Sequence, residues 1–373
     1  MRGLKAVWRV GWRVTLCAIL LAWIFQSIFV NAGRNAAAQS GRDWNQMARL
    51  EQWRLAWTSG PQELWQTLRL EHPLALAGSL ACVLVSILLG VARWRLVLGV
   101  QGLPLSWGRA TGISLVAQFF NSFLLGSTGG DVIKALYAAR ETHHKKTEAV
   151  VTVFVDRLLG LWAMLFFAAL MMIPNAGLLR RREQLGAPAL FILLMLAGAS
   201  GVLGVAFWSG LSKRFPRSRQ WLRRFPKGEY LERSLDSCRH FGKSKGFLPR
   251  ALVLSLLINV ACVLQMVVLS AGLHAQVPFL VWLVVVPMIF CISALPVTPS
   301  GLGVRENLFV LMLAVPEIGL PRPTALTLSL LAYAGSLFWS LAGGLVYLGM
   351  KKTQHLEEVT RRETVAAAEQ PES

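Results

Sequence analysis

Long uncharged runs alternate with short basic stretches along this chain. Val14–Gly33, Pro73–Ala92, Ala149–Ile173, Ala187–Leu211, Ala251–Leu273 and Thr324–Met350 each read as a bilayer-crossing helix, for which about 20 apolar residues suffice. Two further apolar stretches are broken from within. Ala110–Ala139 is interrupted at Gly126–Gly130, and Gln276–Val315 carries Pro287, Pro296 and Pro299. The first is flanked on both sides by basic residues: Arg93, Arg95 and Arg109 before it, Arg140, Lys145 and Lys146 after it. The positive-inside bias therefore puts both of its ends in the cytoplasm. The loop Ser212–Arg250, with twelve Lys/Arg against Glu229, Glu232 and Asp236, is the firmest cytoplasmic mark. The pattern predicts an all-α integral membrane protein, a polytopic helical bundle. It has about six full spans and two opposed re-entrant hairpins, one entering from each side, with both termini cytoplasmic. Opposed hairpins are what an inverted-topology repeat produces.

The chain divides on this reading into four parts. Residues 1–33 form an N-terminal membrane anchor helix, read as uncleaved although Ala36-Ala-Ala38 resembles a signal-peptidase site. Residues 34–72 form an external segment in which Leu50, Trp53 and Trp57, then Leu64, Trp65 and Leu68, recur at helical spacing. The interruption at Gly60-Pro61 predicts short amphipathic helices, either lying on the interface or packed on the bundle. Residues 73–350 form the transmembrane domain. Residues 351–373 form a polar, Glu-rich tail, expected to be disordered from Thr353.

Composition supports this class. Only 15% of the 373 residues are charged, against about 25% in a soluble domain, and mean hydropathy is +0.51. The net charge of +19 points to an anionic membrane surface rather than nucleic acid, because the basic residues sit in membrane-flanking loops. Cys17, Cys82, Cys238, Cys262 and Cys291 form no ligand spacing, so neither disulfide nor zinc is expected, and no cofactor.

The candidate chemistry lies at the two interruptions. Asn121-x4-Gly126-Ser127-Thr128-Gly129-Gly130-Asp131-x2-Lys134 and Ser300-Gly301-Leu302-Gly303-Val304-Arg305-Glu306 each place glycines and hydroxyls in apolar sequence, then open a helix with charge. Glycine permits positive φ or a close approach, and a glycine-rich turn opening a helix presents N–H groups to a phosphate or carboxylate. The alternative is a capped tight turn with small residues for packing. Asp131, Asp156, Arg157, Arg305 and Glu306 are costly in lipid, so they face the interior or an aqueous path and pair with one another. Two readings stay open for them: a headgroup site in which Arg157 and Arg305 fork a phosphate, or structural ion pairs. Asn121, Asn259 and Gln265 are expected to hydrogen-bond between helices, while His143 and His144 read as solvated.

Three ordered motifs, the Asn121–Lys134 segment, Asp156-Arg157-x2-Gly160 and Pro299-Ser300-Gly301-x-Gly303-x-Arg305-Glu306, resemble the transmembrane region of bacterial lysylphosphatidylglycerol synthase/flippase proteins. The resemblance spans roughly Pro73 to Met350. It implies a lipid-handling module of the bacterial inner membrane, and stand-alone members are linked to envelope lipids and lipid-linked glycans. Ser127-Thr128 and Thr298 stand where proline is more usual, Asp156 where Glu is, and Lys134 where Arg is. No aminoacyl-transferase domain follows Met350, so synthase activity is not expected.

The function expected from the sequence is translocation of an anionic phospholipid or polyprenyl-phosphate-linked lipid. The candidate binding residues are Asn121, Ser127, Gly129, Gly130, Asp131, Lys134, Asp156, Arg157, Ser300, Gly301, Gly303, Arg305 and Glu306. Two alternatives stand beside it: a membrane transferase using Asp131 or Glu306 as base, and a scaffold with protein partners in envelope lipid or glycan assembly.

Overall fold

The computed structural model describes residues 26, 29–30, 32–70, 72–123, 129–141, 146–180, 183–207, 241–242, 244, 246–295, 304–313, 318, 320 and 322–368. Helical turns at 32–39 lead to α1 (Arg49–Leu70) and α2 (Pro73–Val100). There follow α3 (Trp107–Phe123), α4 (Gly129–Glu141), α5 (Lys146–Met172), the short α6 (Ala176–Arg180) and α7 (Glu183–Phe207). The second half holds α8 (Phe247–Gly272), α9 (Phe279–Ser293), α10 (Val304–Leu313) and α11 (Arg322–Ala368). There are no strands among the described residues.

Among the described residues, five helices are long and apolar enough to cross a membrane: α2, α5, α7, α8 and the Thr324–Met350 part of α11. They match five of the six predicted spans. Most of the sixth, Val14–Gly33, lies outside the described residues. The four helices at the interrupted stretches are shorter. At 1.5 Å per residue, α3, α4, α9 and α10 reach about 26, 20, 22 and 15 Å, against a hydrocarbon core of about 30 Å.

These short helices share two walls. In the first pair α3 packs on α11 and α4 on α5; in the second α10 packs on α11 and α9 on α5. One face of α11 records both contacts. Ser329 and Tyr333 meet α10, and one and two turns further on Ser336 and Ser340 meet α3. The spacing of four, three and four residues keeps all four side chains on one stripe. Gln118 Nε2 donates to Ser336 Oγ at 3.1 Å, and Ser122 and Ser340 share a hydrogen bond at 2.6 Å. Gly343 continues the stripe, where a Cβ would lie 2.6 Å from the carbonyl carbon of Leu115. Small residues let backbones approach in this way where lipid supplies no hydrophobic drive between helices.

The main apolar core lies between α5, α8, α9, α10 and α11, around Met266, Trp282, Met288, Ile289 and Phe309. A second cluster around Trp94, Leu98, Ile113 and Tyr137 joins α2, α3 and α4. Gln265 Nε2 links α8 to Ser79 of α2 at 3.2 Å and to the Ala332 carbonyl of α11 at 3.3 Å, as expected of an interhelical polar group. Asn259 does otherwise: its side chain donates to the Ser255 carbonyl one turn back in its own helix, at 2.8 Å.

The break expected at Gly60-Pro61 is absent, and α1 runs through it as one helix. An internal proline costs one helical hydrogen bond, about 3 kcal/mol with its steric clash. Tertiary packing overrides that here. Gly60 lies against the Phe29 ring with no room for a Cβ, and Ala56 is buried beside Gly33 and Trp44. Leu50, Trp53, Trp57 and Trp65 stay exposed, as an interfacial helix requires, and the Trp57 indole donates to Gln26 Oε1. At the other end the helical backbone does not stop near Met350 but continues through Ala368, where disorder was expected from Thr353. Glu, Lys, Arg and Ala in this segment have high helix propensity and extend a helix already nucleated in the membrane.

Candidate functional site

Nine residues separate Asn121, near the end of α3, from Gly130, at the start of α4. Gly130 N–H donates to Asn121 Oδ1 at 2.8 Å, closing the first helix pair on itself. A Cβ at Gly130 would lie 2.6 Å from Asn121 Cγ and run into the Ala117 carbonyl oxygen. The positive-φ glycines among the described residues are Gly41, Gly102 and Gly246, so of the two uses of glycine weighed above Gly130 serves the close approach, here of a neighbouring helix. Its N–H is also spent inside the helix pair, so it is not available to an anion. Asp131 follows in the first turn of α4, where the helix N-terminus favours a carboxylate.

Behind that turn lies a buried triad. Asp156 of α5 accepts from Arg93 Nε of α2 at 2.8 Å and from Lys134 Nζ of α4 at 3.3 Å. Arg93 Nη1 also donates to Ser255 Oγ of α8 at 2.9 Å. One set of contacts thus joins four helices. The side chains of Arg93, Asp156 and Lys134 are 11%, 9% and 11% exposed. Lys134 Nζ sits 4.2 Å above the Trp94 ring, which supplies part of the solvation that burial removes. Gly160, one turn along α5, leaves space for Arg93: a Cβ there would be 2.9 Å from Arg93 Nη2.

Asp131 pairs with the next residue along α5, Arg157. This second pair is more open, at 26% and 29% side-chain exposure. Asp156 and Arg157, about 100° apart around α5, thus enter different contacts: the first is buried in the bundle, the second partly exposed. Val150 and Phe154, seven and three residues before Arg157, share its face and are exposed, as are Val132 and Leu136 on α4. A partly exposed ion pair therefore lies beside an exposed apolar surface. Arg157 lies eleven residues from the start of α5, about 17 Å along the helix axis.

The second interruption builds a smaller cluster. Arg305 donates to Glu306 Oε1 at 2.6 Å and to Ser329 Oγ at 3.2 Å, and its guanidinium lies 4.7 Å from the Tyr333 ring centroid. Ser329 Oγ also reaches Glu306 Oε1 at 3.4 Å. Glu306 is 4% exposed in its side chain. Ser329 is five residues past Thr324, about 8 Å from the N-terminal end of that apolar helix. One charged cluster therefore sits about 17 Å along α5 and the other near the N-terminal end of α11.

Of the candidate residues, Asn121, Gly130, Asp131, Lys134, Asp156 and Arg157 come together around α4 and α5, with Gly129 at the head of α4. Arg305 and Glu306 come together on α10. Ser127, Ser300, Gly301 and Gly303 lie outside the described residues, as do His143 and His144. Neither nominated arginine waits open: each already holds a carboxylate. Arg93 is the principal residue missed. Reading it as a flank after the span ending at Ala92 overlooked the apolar run Leu96–Val100, which carries α2 on past both arginines. Ser255, Ser329 and Tyr333 carried no sequence signal beyond their helical register.

Residues 50–344 match the family described as Lysylphosphatidylglycerol synthase TM region. No curated protein matches the chain.

Proposed function

The chain belongs to the lysylphosphatidylglycerol synthase transmembrane-region family, and from that premise we propose that it is a lipid translocase of the bacterial inner membrane. The substrate is an anionic phospholipid or polyprenyl-phosphate-linked lipid. The observation that carries this reading is the Asp131–Arg157 pair, partly exposed about 17 Å along α5 and flanked by the exposed Val132, Leu136, Val150 and Phe154. A headgroup phosphate displaces or bridges that pair, accepting from the Arg157 guanidinium, while the hydrocarbon chain stays against the apolar flank. Lys134 and Arg93 supply positive potential from behind.

The two short helix pairs act as re-entrant hairpins that rock between the shared walls α5 and α11, opening the Arg157 site to one leaflet and the Arg305 cluster to the other. Any drive comes from the membrane potential, protons or the lipid gradient, and both termini are cytoplasmic. Asp131 and Glu306 are both ion-paired, which counts against either as the free base a transferase needs.

The test is leaflet exchange in vesicles reconstituted with the purified protein, using headgroup-labelled phosphatidylglycerol and a labelled polyprenyl-phosphate lipid. Exchange of at least one above protein-free vesicles, lost in Arg157→Ala, is the expected result. No exchange of either lipid contradicts the proposal.

A further inference from the structure

Polar contacts tie the helices of this bundle to one another, with one exception. The first short pair holds α11 through Gln118–Ser336 and Ser122–Ser340, and α5 through Lys134–Asp156 and Asp131–Arg157. α10 holds α11 through Arg305–Ser329. Gln265 ties α8 to α2 and α11, and Ser200 of α7 accepts from Trp162 of α5. Among the described residues, α9 is the one helix of ten residues or more whose side chains make no hydrogen bond, ion pair or ring contact with another element. Its Trp282 indole and Ser293 hydroxyl lie eleven residues apart on one stripe, and both are buried without a hydrogen-bond partner. Nothing polar therefore pins the register at either end. The helix also holds neither glycine nor alanine. Lipid tails are as apolar as its side chains, so burial alone drives little association. Close packing of small residues and polar contacts are what fix register between membrane helices, and α9 has neither.

The connection into α9 can take up a displacement. His274 has φ 55° and is the one non-glycine residue with positive φ among the described residues. It stands where α8 ends in a Schellman turn: His274 N–H donates to the Ala271 carbonyl at 3.1 Å, and Ala275 N–H to the Ser270 carbonyl at 2.8 Å. Glycine usually fills that position, because a side chain there is strained. Residues 275–278 are irregular, and hinges are loop positions of this kind that absorb large φ/ψ changes. We propose that α9 is the moving element of the bundle. It slides along α5 by about one helical turn, roughly 5 Å, the step at which ridges and grooves of packed helices re-engage. The His274 turn takes up the displacement, and the helices tied by polar contacts stay together as one frame. The proposal rests on the translocase reading for the purpose of this motion. It narrows the rocking of both short pairs to one helix of the second.

The test reads the motion itself, apart from transport. The full-length protein in nanodiscs containing phosphatidylglycerol is spin-labelled in pairs through an encoded ketone amino acid, which leaves the native cysteines in place. Distances are measured by double electron–electron resonance. One pair joins α9 to the frame, at Leu280 and Leu345; the other lies within the frame, at Gly108 of α3 and Leu170 of α5. All four positions are exposed, so the labels disturb no packing. The first pair should give two distances about 5 Å apart, and the second pair one. His274→Gly removes the cost of the left-handed conformation and should shift the first pair's population toward the distance of the present arrangement. A single distance at the first pair, two distances at the second, or a first-pair distribution unchanged in His274→Gly overturns the proposal. Two distances at the first pair alone, without leaflet exchange of any lipid, uphold the motion and contradict translocation, so the two failures are distinguishable.

Discussion

Replacing Asp156 with alanine would leave Arg93 and Lys134 side by side in a site where each is about one-tenth exposed. Removing one partner of a buried ion pair costs about 3–5 kcal/mol, most of it the penalty of the stranded charge. Arg93 keeps its hydrogen bond to Ser255, and Lys134 its ring, so the lower part of that range applies, about 3 kcal/mol. For a chain of this size that corresponds to a fall of roughly 4 °C in the unfolding midpoint. The diagnostic is the double variant Asp156→Ala/Lys134→Met, which removes one stranded cation together with its partner. It should recover at least about 1 kcal/mol relative to Asp156→Ala, because residues in one ion network couple by 0.5–3 kcal/mol. Thermal unfolding in detergent, followed by intrinsic Trp fluorescence, reads both. If Asp156→Ala melts within a degree of wild type, or the two substitutions add independently, the triad does not tie these helices together.

Gly130→Ala should destabilise by about 1–3 kcal/mol, because the added methyl meets the α3 backbone. Gly198→Ala in α7, where nothing approaches, should instead stabilise by up to about 1 kcal/mol; the opposite signs can be read in the same melting experiment. Arg305→Met removes the cation beside Glu306, the more buried partner, and should cost about 3 kcal/mol. Glu306→Gln keeps an acceptor for Ser329 and should cost measurably less. Gly160→Val pushes on the Arg93 guanidinium, so its midpoint should fall further in the wild-type background than in Arg93→Met.

Much of this architecture was legible because membrane helices advertise themselves by length and charge bias. Asp131, Asp156, Arg157, Arg305 and Glu306 stood out as ionisable groups in apolar sequence, and pairing was the physical expectation. What sequence could not supply was the choice of partner. Asp156 and Arg157 are adjacent and only about 100° apart around α5, yet they join different networks, which depends on how α4 lies across α5. Arg93 was lost to a boundary error, and its partner lies 63 residues away in sequence. The expectation that Gly130 presents an open N–H failed because Asn121 reaches it first. Pro61 misled in the other direction: a local breaking signal was overridden by packing against Phe29.

The account stands on a lipid headgroup reaching Arg157 from the bilayer side. The most direct measurement is an experimental structure of the protein in nanodiscs containing phosphatidylglycerol. The account predicts a phosphate within about 3 Å of the Arg157 guanidinium, the distance of a charge-assisted hydrogen bond, with an acyl chain along Val150 and Phe154. Lipid phosphates found solely at the two membrane surfaces, with Asp131 and Arg157 closed on each other and acyl chains packed over them, would contradict it.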